Sequence, residues 1–301
     1  MMNTSLSSNI SQISYRVPEN VRIMYLAVIF PSFLLYLPSV IVILYVFFTT
    51  SHIRENVRYL LFSHMLITDS LHLTLAYILF IAALYIVYMP VKRCCIIAGV
   101  SASTALITPY NLALMSLERY IAVCFPLRHG EICTVRRYNV AIVVMWGIGV
   151  FPILLELTIL CYIVDNNFFS LKTVCIWKFM QIYHFQVTIR FLTFSLSFSV
   201  VVIIILYTYI RVMLVARSIR SWKSSAFKAT KTVLLHGFQL LLCLCSYSST
   251  FTETLFRNSY FHMAPVNFLL FSCLPQYISP LIYGIRDEVI RTCVRKLICS
   301  T

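Results

Sequence analysis

The apolar run CCIIAGVSASTALITPYNLALMSLERYIAVCF, from Cys94 to Phe125, contains two adjacent charges near its end, Glu118 and Arg119. The run is long enough to cross the hydrocarbon core of a bilayer, which is about 30 Å thick. A helix from Cys94 to Arg119 rises about 37 Å. Cys94 therefore lies at one membrane edge and the charged pair at the other. There the pair either snorkels to water as a helix end or has a function of its own.

The composition of the whole chain is typical of a membrane protein. It has 301 residues, of which 60% are hydrophobic and 11% are charged, whereas soluble domains are about 25% charged. The apolar residues form continuous runs rather than alternating segments, which excludes a β-barrel. Seven runs are long enough to span a bilayer, namely Ile23–Phe48, Val57–Val87, Cys94–Phe125, Tyr138–Ile163, Phe185–Ala216, Thr230–Phe251 and Met263–Ile285.

The two ends of the chain differ from these runs. The first 20 residues are polar and lack the apolar core of a signal peptide, so we expect the first run to be retained. After the seventh run, RDEVIRTCVRKLICS alternates apolar and basic residues at helical spacing, which predicts a helix lying on the membrane face. The expected fold is an all-α, seven-transmembrane helix bundle at 23–285. An extracellular tail at 1–22 precedes it, and a cytoplasmic amphipathic helix and tail at 286–301 follow it.

The basic residues predict the orientation. If the N-terminus and the even-numbered connections share one side, 16 of the 24 Lys and Arg residues lie on the opposite side. Cytoplasmic loops are rich in Lys and Arg, so the N-terminus is expected outside the cell. Two Asn-x-Ser sequons in the N-terminal tail, at Asn3 and Asn9, agree, because glycosylation occurs on that side.

Several function classes are disfavoured. The net charge of +14 lies in short segments between apolar runs, as in membrane proteins, so we expect contact with membrane lipid and none with nucleic acid. The 11 cysteines lack the spacing of a zinc site, and the seven histidines lack an HExxH motif or a shared depth, so we expect neither a metal centre nor an enzyme. A transporter is the other alternative, but the two halves show no repeat.

Glu118-Arg119-Tyr120, followed by IAVCFPLRH, resembles the DRY box and second cytoplasmic loop of rhodopsin-like (class A) G-protein-coupled receptors. The longer string LERYIAVCFPLRHGEICTVRR is similar to the odorant-receptor branch, and most similar to its fish-type members. Other matches occur in order along the chain, at Asp69, Cys94, Trp146, KATKTVLLHG and Ser279-Pro280-Leu281-Ile282-Tyr283. There are departures. Pro38 or Ser39 stands where the family has Asn, Ser279 replaces another Asn, and the fifth and sixth runs lack proline.

The resemblance implies a plasma-membrane receptor that binds a small-molecule odorant between its outer helix halves. It further implies activation of a heterotrimeric G protein of the cAMP-raising kind. A non-olfactory class A receptor is the alternative within the family. The early third run, from Cys94 to Leu106, has no acidic residue, which disfavours a standard amine site.

The resemblance also assigns an activation switch. Arg119 is held by Glu118 at rest and turns toward the G-protein cavity on activation. Tyr207 or Tyr209 and Tyr283 would then pack near it. Tyr120 completes the motif, and Pro280 permits a kink because it removes a helix hydrogen bond. The basic segment from Arg211 to Lys231 is expected either to contact anionic lipid or to form part of the G-protein docking surface.

Asp69 is expected about 18 Å deep in the second helix, with polar contacts from Thr108, Asn111 and Ser279. In the family, an acid at this position holds a sodium ion in the inactive state. No other cofactor is expected. The alternative is a protonated or hydrogen-bonded structural Asp.

Cysteines are expected to act on both faces of the membrane. The resemblance implies a disulfide between Cys94 and Cys175 in the second outer loop, with Cys95 and Cys161 as rival partners. On the cytoplasmic side, Cys293 and Cys299 are candidates for palmitoylation, or else free thiols.

The ligand pocket is expected between the outer halves of the third, fifth, sixth and seventh helices. Glu156 lies within an apolar run and is expected to face the bundle, where it either pairs with Arg190 or meets a cationic ligand. The other candidates at this depth are Ser101, Thr104, Thr108, Gln186, Arg190, Tyr247, Thr250 and Phe268.

Overall fold

A computed structural model describes residues 18–164, 166–175 and 184–218 of the chain. Beyond these it describes the shorter stretches and single positions 238, 241, 266, 268–274, 276–278, 280 and 292–293. Most of the predicted sixth run and much of the seventh fall outside the described residues. So do most of the predicted amphipathic segment and both sequons.

Five long helices account for most of the described residues, and each is long and apolar enough to cross a membrane. They are α1 (Glu19–Thr49), α2 (Val57–Leu84), α3 (Val91–Cys124), α4 (Val135–Ile163) and α5 (His184–Ser218). They coincide with the first five predicted runs to within a few residues at each end. The first helix begins at Glu19, four residues inside the segment predicted as an extracellular tail.

Side-chain caps fix the starts of two helices. The Asn56 side chain accepts a hydrogen bond from the backbone N–H of Arg58 at 3.0 Å, and Thr134 does the same for Arg137 at 3.4 Å. Such caps satisfy N–H groups that the first turn of a helix leaves without a partner. Both caps lie on the predicted cytoplasmic side. The helical turns Ser51–Arg54, Pro126–Arg128 and His129–Ile132 complete the connections there.

A short two-stranded sheet forms on the opposite side. Strand β1 (Tyr88–Pro90) pairs antiparallel with β2 (Lys172–Val174), with Met89 opposite Thr173. The 3-10 helix Asn166–Ser170 leads into β2. Between α2 and β1, Ile86 adopts a positive φ of 54°, which is unusual for a β-branched residue and marks a tight turn. The outer loop is thus tied to the start of α3.

Helix α3 is the central helix of the described bundle and packs against α2, α4 and α5. In its most apolar 18-residue stretch, 61% is buried, against 17–39% in the corresponding stretches of the other four helices. Close approach of α3 and α4 depends on Gly149, because a Cβ there would lie 2.8 Å from Ile107 Cγ1. Polar side chains on α3 therefore meet protein on several sides, which is what a site inside a membrane requires.

Part of the last apolar run also packs against this bundle. Residues Phe268–Cys273 form a π-helical turn, a form frequently found at functional sites. Cys273 and Pro280 are buried, and Tyr277 packs against the same core as α1 and α2.

Candidate functional site

The C-terminal end of α3, on the predicted cytoplasmic side, holds a buried carboxylate between two basic groups. Glu118 is only 5% exposed. Its Oε2 lies 3.4 Å from Nε of Arg119, and its Oε1 lies 3.3 Å from Nε2 of His129 in the following helical turn. Arg119 therefore lies where the predicted switch has it at rest, next to Glu118. His129 is a further contact that the sequence had not singled out, although it lies within the quoted motif.

The other members of the predicted switch are partly described. The ring of Tyr120 lies 5.8 Å from that of Tyr207 on α5, in an edge-on contact. Pro280 is buried, and Tyr283 falls outside the described residues. The described part of the switch thus joins α3 to α5 and to the second cytoplasmic connection.

A second polar centre surrounds Asp69, which is fully buried at 0% exposure. Thr108 donates a hydrogen bond from its hydroxyl to Oδ1 of Asp69 at 2.8 Å. Asn111 was expected to supply a polar contact here as well. The Asn111 amide instead meets His64 at 2.9 Å and Thr68 at 3.4 Å. Ser279, the fourth expected member, lies outside the described residues.

Asn111 belongs to a network that links α2, α3 and α4. The indole Nε1–H of Trp146 donates to Nε2 of His64 at 3.0 Å. Because an indole N–H can only donate, Nε2 of His64 carries no proton, and the imidazole is neutral. Its Nδ1–H then donates to Oδ1 of Asn111. Sequence reasoning missed this network. The eight-residue spacing of His64 and His72, which puts both on one face of α2, was the available signal.

The outer end of α3 is covalently linked to the second outer loop. Cys94 and Cys175 form a disulfide with a Cα–Cα distance of 5.5 Å, across a sequence separation of 81 residues. The rivals, Cys95 and Cys161, are free thiols, buried and exposed respectively. Since Cys175 directly follows β2, the disulfide and the two-stranded sheet hold the same loop.

Glu156 and Arg190 form an ion pair between the outer halves of α4 and α5. Arg190 donates from Nε to Oε2 of Glu156 at 2.8 Å and from Nη2 to Oε1 at 2.5 Å, a bidentate arrangement. Glu156 is 4% and Gln186 is 1% exposed. These three side chains line a cavity of about 20 Å³ together with small residues of α3. Of the two alternatives for Glu156, the structure shows the pairing with Arg190.

The remaining ligand candidates that the structure describes lie elsewhere. Ser101 faces α2, where its carbonyl and hydroxyl oxygens lie 2.8 and 3.2 Å from Nδ1 of His72. Thr104 donates its hydroxyl to backbone carbonyls of its own helix. Phe268 stacks on Phe80 of α2 at 4.6 Å. Tyr247 and Thr250 lie outside the described residues. Among the candidates that the structure describes, Glu156, Arg190 and Gln186 come together around one cavity.

A hydroxyl cluster joins α1, α2 and the last run. Tyr77 and Tyr277 share a hydrogen bond of 2.7 Å between their hydroxyl oxygens, and both contact the Ser32 hydroxyl, at 3.2 and 3.0 Å. The cluster was not predicted, because no local pattern relates residues so distant in the chain. It ties together α1, α2 and the last run, and the Asn usual in the family is absent from the first and the last of these.

Two further predictions concern modification. Asn3, Asn9 and Cys299 fall outside the described residues, and Cys293 is a partly buried free thiol that packs against the main core. Glycosylation and palmitoylation remain predictions.

Comparison with known proteins identifies the family. The family model of the 7 transmembrane receptors (rhodopsin family) matches residues 39–283, which is most of the chain. The chain belongs to this receptor family. It is therefore a seven-transmembrane helix bundle, and its family is one of receptors rather than of enzymes. The matched range includes the sixth predicted run and all but the last two residues of the seventh.

Curated relatives of this rhodopsin-family receptor are odorant receptors. It is 29% identical over 240 residues to odorant receptor 131-2 of Danio rerio, covering 78% of this chain and 74% of that protein. It is 28% identical over 207 residues to olfactory receptor 52A1 of Homo sapiens, covering 63% of each chain. Olfactory receptor 14J1 of Homo sapiens is 26% identical over 198 residues, covering 62% of this chain and 60% of that protein.

Proposed function

We propose that this rhodopsin-family chain is an odorant receptor. It binds a small molecule between its outer helix halves and activates a heterotrimeric G protein that raises cAMP. The observation that carries the proposal is the Glu118–Arg119 ion pair, which lies at the cytoplasmic end of the central helix. The named relatives favour an odorant over other ligand classes.

The proposed cycle uses two states of the helix bundle. At rest, Glu118 is buried and contacts both Arg119 and His129. Ligand binding in the outer half favours a second state, in which Arg119 leaves Glu118 and lines a cytoplasmic cavity for the G protein. A ligand drives this change only if it binds the second state more tightly than the first. Tyr120 and Tyr207 already join α3 to α5 in the region where that cavity would open.

Asp69 is proposed to stabilise the resting state. Its carboxylate is fully buried, and the Thr108 oxygen lies 2.8 Å away. Hard cations prefer oxygen ligands of this kind, so the two residues fit part of the sodium site that the family resemblance implies. We further propose that the receptor acts at the plasma membrane with its N-terminus outside, which the distribution of Lys and Arg supports.

The test is cAMP accumulation in cells that express the full chain with an olfactory-type G protein, during exposure to pooled odorants. A response that Arg119→Ala abolishes at equal surface display supports the proposal. Arg54→Ala is the matched control, because Arg54 is an exposed cytoplasmic arginine outside the switch. An equal response from wild type and Arg119→Ala, or none from wild type at good display, would contradict it.

A further inference from the structure

The Glu156–Arg190 pair faces a small, partly open cavity of about 20 Å³, room for about one water molecule. Gln186 lines the same cavity and is almost fully buried. A carboxylate, a guanidinium group and an amide thus line the same cavity. It lies at a depth where charged groups are costly and usually functional.

Charge balance restricts what can enter this cavity. In the bidentate pair, Arg190 donates a hydrogen bond to each carboxylate oxygen of Glu156. A ligand with a single charge would match one of them and separate it from the other, and breaking a buried ion pair is strongly unfavourable. A neutral ligand would gain nothing by separating the pair. A molecule with both an ammonium and a carboxylate group can exchange one ion pair for two, so no charge is left unpaired.

We propose that this cavity is the recognition subsite for a zwitterionic small molecule of the α-amino acid class. Its carboxylate binds Arg190, its ammonium group binds Glu156, and Gln186 offers both a donor and an acceptor beside them. The proposal rests on the receptor function proposed above and specifies the ligand class for that function.

Small residues of α3 form one wall of the cavity. They are Cys95, Ala98 and Gly99. A Cβ on Gly99 would lie 3.1 Å from Cγ2 of Ile153, another lining residue, so this part of the wall is already close to its neighbour. A larger side chain at Gly99 would fill the remaining space.

The size of the cavity links recognition to helix movement. A zwitterion does not fit while Glu156 and Arg190 are in contact, so binding must separate α4 from α5 at this depth. The ligand then supplies the counter-charges that the separated side chains need. It therefore binds the separated state more tightly than the closed state, which is the condition for an agonist.

The experiment uses the full chain in lipid nanodiscs and measures its thermal unfolding midpoint with each standard L-amino acid. The hits are repeated as methyl esters, which lack the carboxylate charge, and as N-acetyl derivatives, which lack the ammonium charge. We expect at least one amino acid to raise the midpoint in a concentration-dependent way. Each derivative should bind at least about tenfold more weakly, because it leaves one buried charge unpaired.

The matched variants separate recognition from folding. Glu156→Gln combined with Arg190→Gln removes both charges together, so neither is left without the other, and its midpoint without amino acid checks its stability. We expect it to lose binding at least about tenfold. The control combines Arg54→Gln with Glu55→Gln, two adjacent exposed charges on the cytoplasmic side, and should bind as wild type does.

Three results would overturn the inference. They are that no amino acid binds, that an ester or N-acetyl form binds as well as its parent, or that the neutral double variant binds normally. The wild-type derivative series decides the question even if the double variant fails to fold. Nucleotide exchange on a G protein is measured separately. Exchange stimulated only by neutral odorants would contradict the zwitterion class alone, whereas amino acid binding without exchange would contradict the receptor function alone.

Discussion

The imidazole Nε2 of His129 lies 3.3 Å from Oε1 of Glu118, the carboxylate that also contacts Arg119. Glu118 is thus held from its own helix and from the turn that follows α3. The connection between α3 and α4 therefore contributes directly to the position of the carboxylate in the proposed switch. A change at either basic residue alters the environment of one buried carboxylate.

Glu118→Gln should raise ligand-free signalling. The substitution removes the negative charge that holds Arg119, while the side chain keeps its size. Hydrogen bonds to charged groups contribute about 1.5–3 kcal/mol, so we expect a several-fold rise in basal cAMP at equal surface display. Glu131→Gln, at an exposed acid in the next helical turn, is the matched control and should not change the basal level. Unchanged basal signalling in Glu118→Gln would show that the pair does not restrain the receptor.

His129→Ala should raise basal signalling less than Glu118→Gln does. The His129 side chain is 35% exposed, and contacts at solvent-accessible sites are weaker than buried ones. Because both residues act through one contact, the double variant should signal no more than Glu118→Gln alone. Basal cAMP in the four receptors of this double-mutant cycle is the measurement. Fully additive effects would place His129 outside the switch.

Trp146→Phe should destabilise the bundle. It leaves Nε2 of His64 without the indole donor in a half-buried site, a loss of about 1–3 kcal/mol. Thermal unfolding of the purified receptor measures the loss. His64→Leu combined with Trp146→Phe should cost less than the sum of the single changes, because it removes both partners of the hydrogen bond. Equal stability of Trp146→Phe and wild type would mean that the hydrogen bond contributes nothing.

Cys94→Ser should reduce stability by about 2–5 kcal/mol, since the disulfide closes a long loop and restricts the unfolded chain. Cys175→Ser and the double variant should behave alike, because each lacks the same bond. Surface display and thermal unfolding are the measurements. Cys161→Ser changes an exposed free thiol and serves as the control. Normal display of Cys94→Ser together with an unchanged melting temperature would contradict this role.

Cys133 should react slowly with maleimide at neutral pH. Burial raises the pKa of its thiol above the usual value, and the nearby carboxylate of Glu118 raises the pKa further, although the Tyr138 hydroxyl opposes this. Only the thiolate reacts, so a raised pKa lowers the reactive fraction at pH 7. Labelling should accelerate as the pH rises, as peptide mapping of the labelled receptor would show. Rapid, pH-independent labelling would contradict a buried thiol.

The positions of the helices could be predicted because their cause is local. A long apolar run crosses the membrane wherever it occurs in the chain, and five runs became helices close to their expected bounds. The ends were less accurate. Helix α3 begins at Val91 rather than Cys94, because the exposed Lys92 and Arg93 continue the helix into the polar edge of the membrane.

Contacts between helices were harder to predict. The Asp69–Thr108 hydrogen bond was expected, but Asn111 was assigned to the same acid. Helices α2 and α3 run antiparallel. One turn along α3 toward its C-terminus, from Thr108 to Asn111, therefore corresponds to a shift along α2 toward its N-terminus, from Asp69 to Thr68 and His64. The register of the two helices, and not the residue type, determines the partner. No sequence pattern encodes that register.

The most direct test of the account is nucleotide exchange on a purified heterotrimeric G protein mixed with the full chain in nanodiscs. Wild type, Glu118→Gln and Arg119→Ala are compared without ligand. The account predicts slow exchange with wild type, faster exchange with Glu118→Gln and no stimulation with Arg119→Ala. Stimulation by Arg119→Ala equal to that by Glu118→Gln would contradict the claim that this buried ion pair at the end of α3 controls G-protein activation.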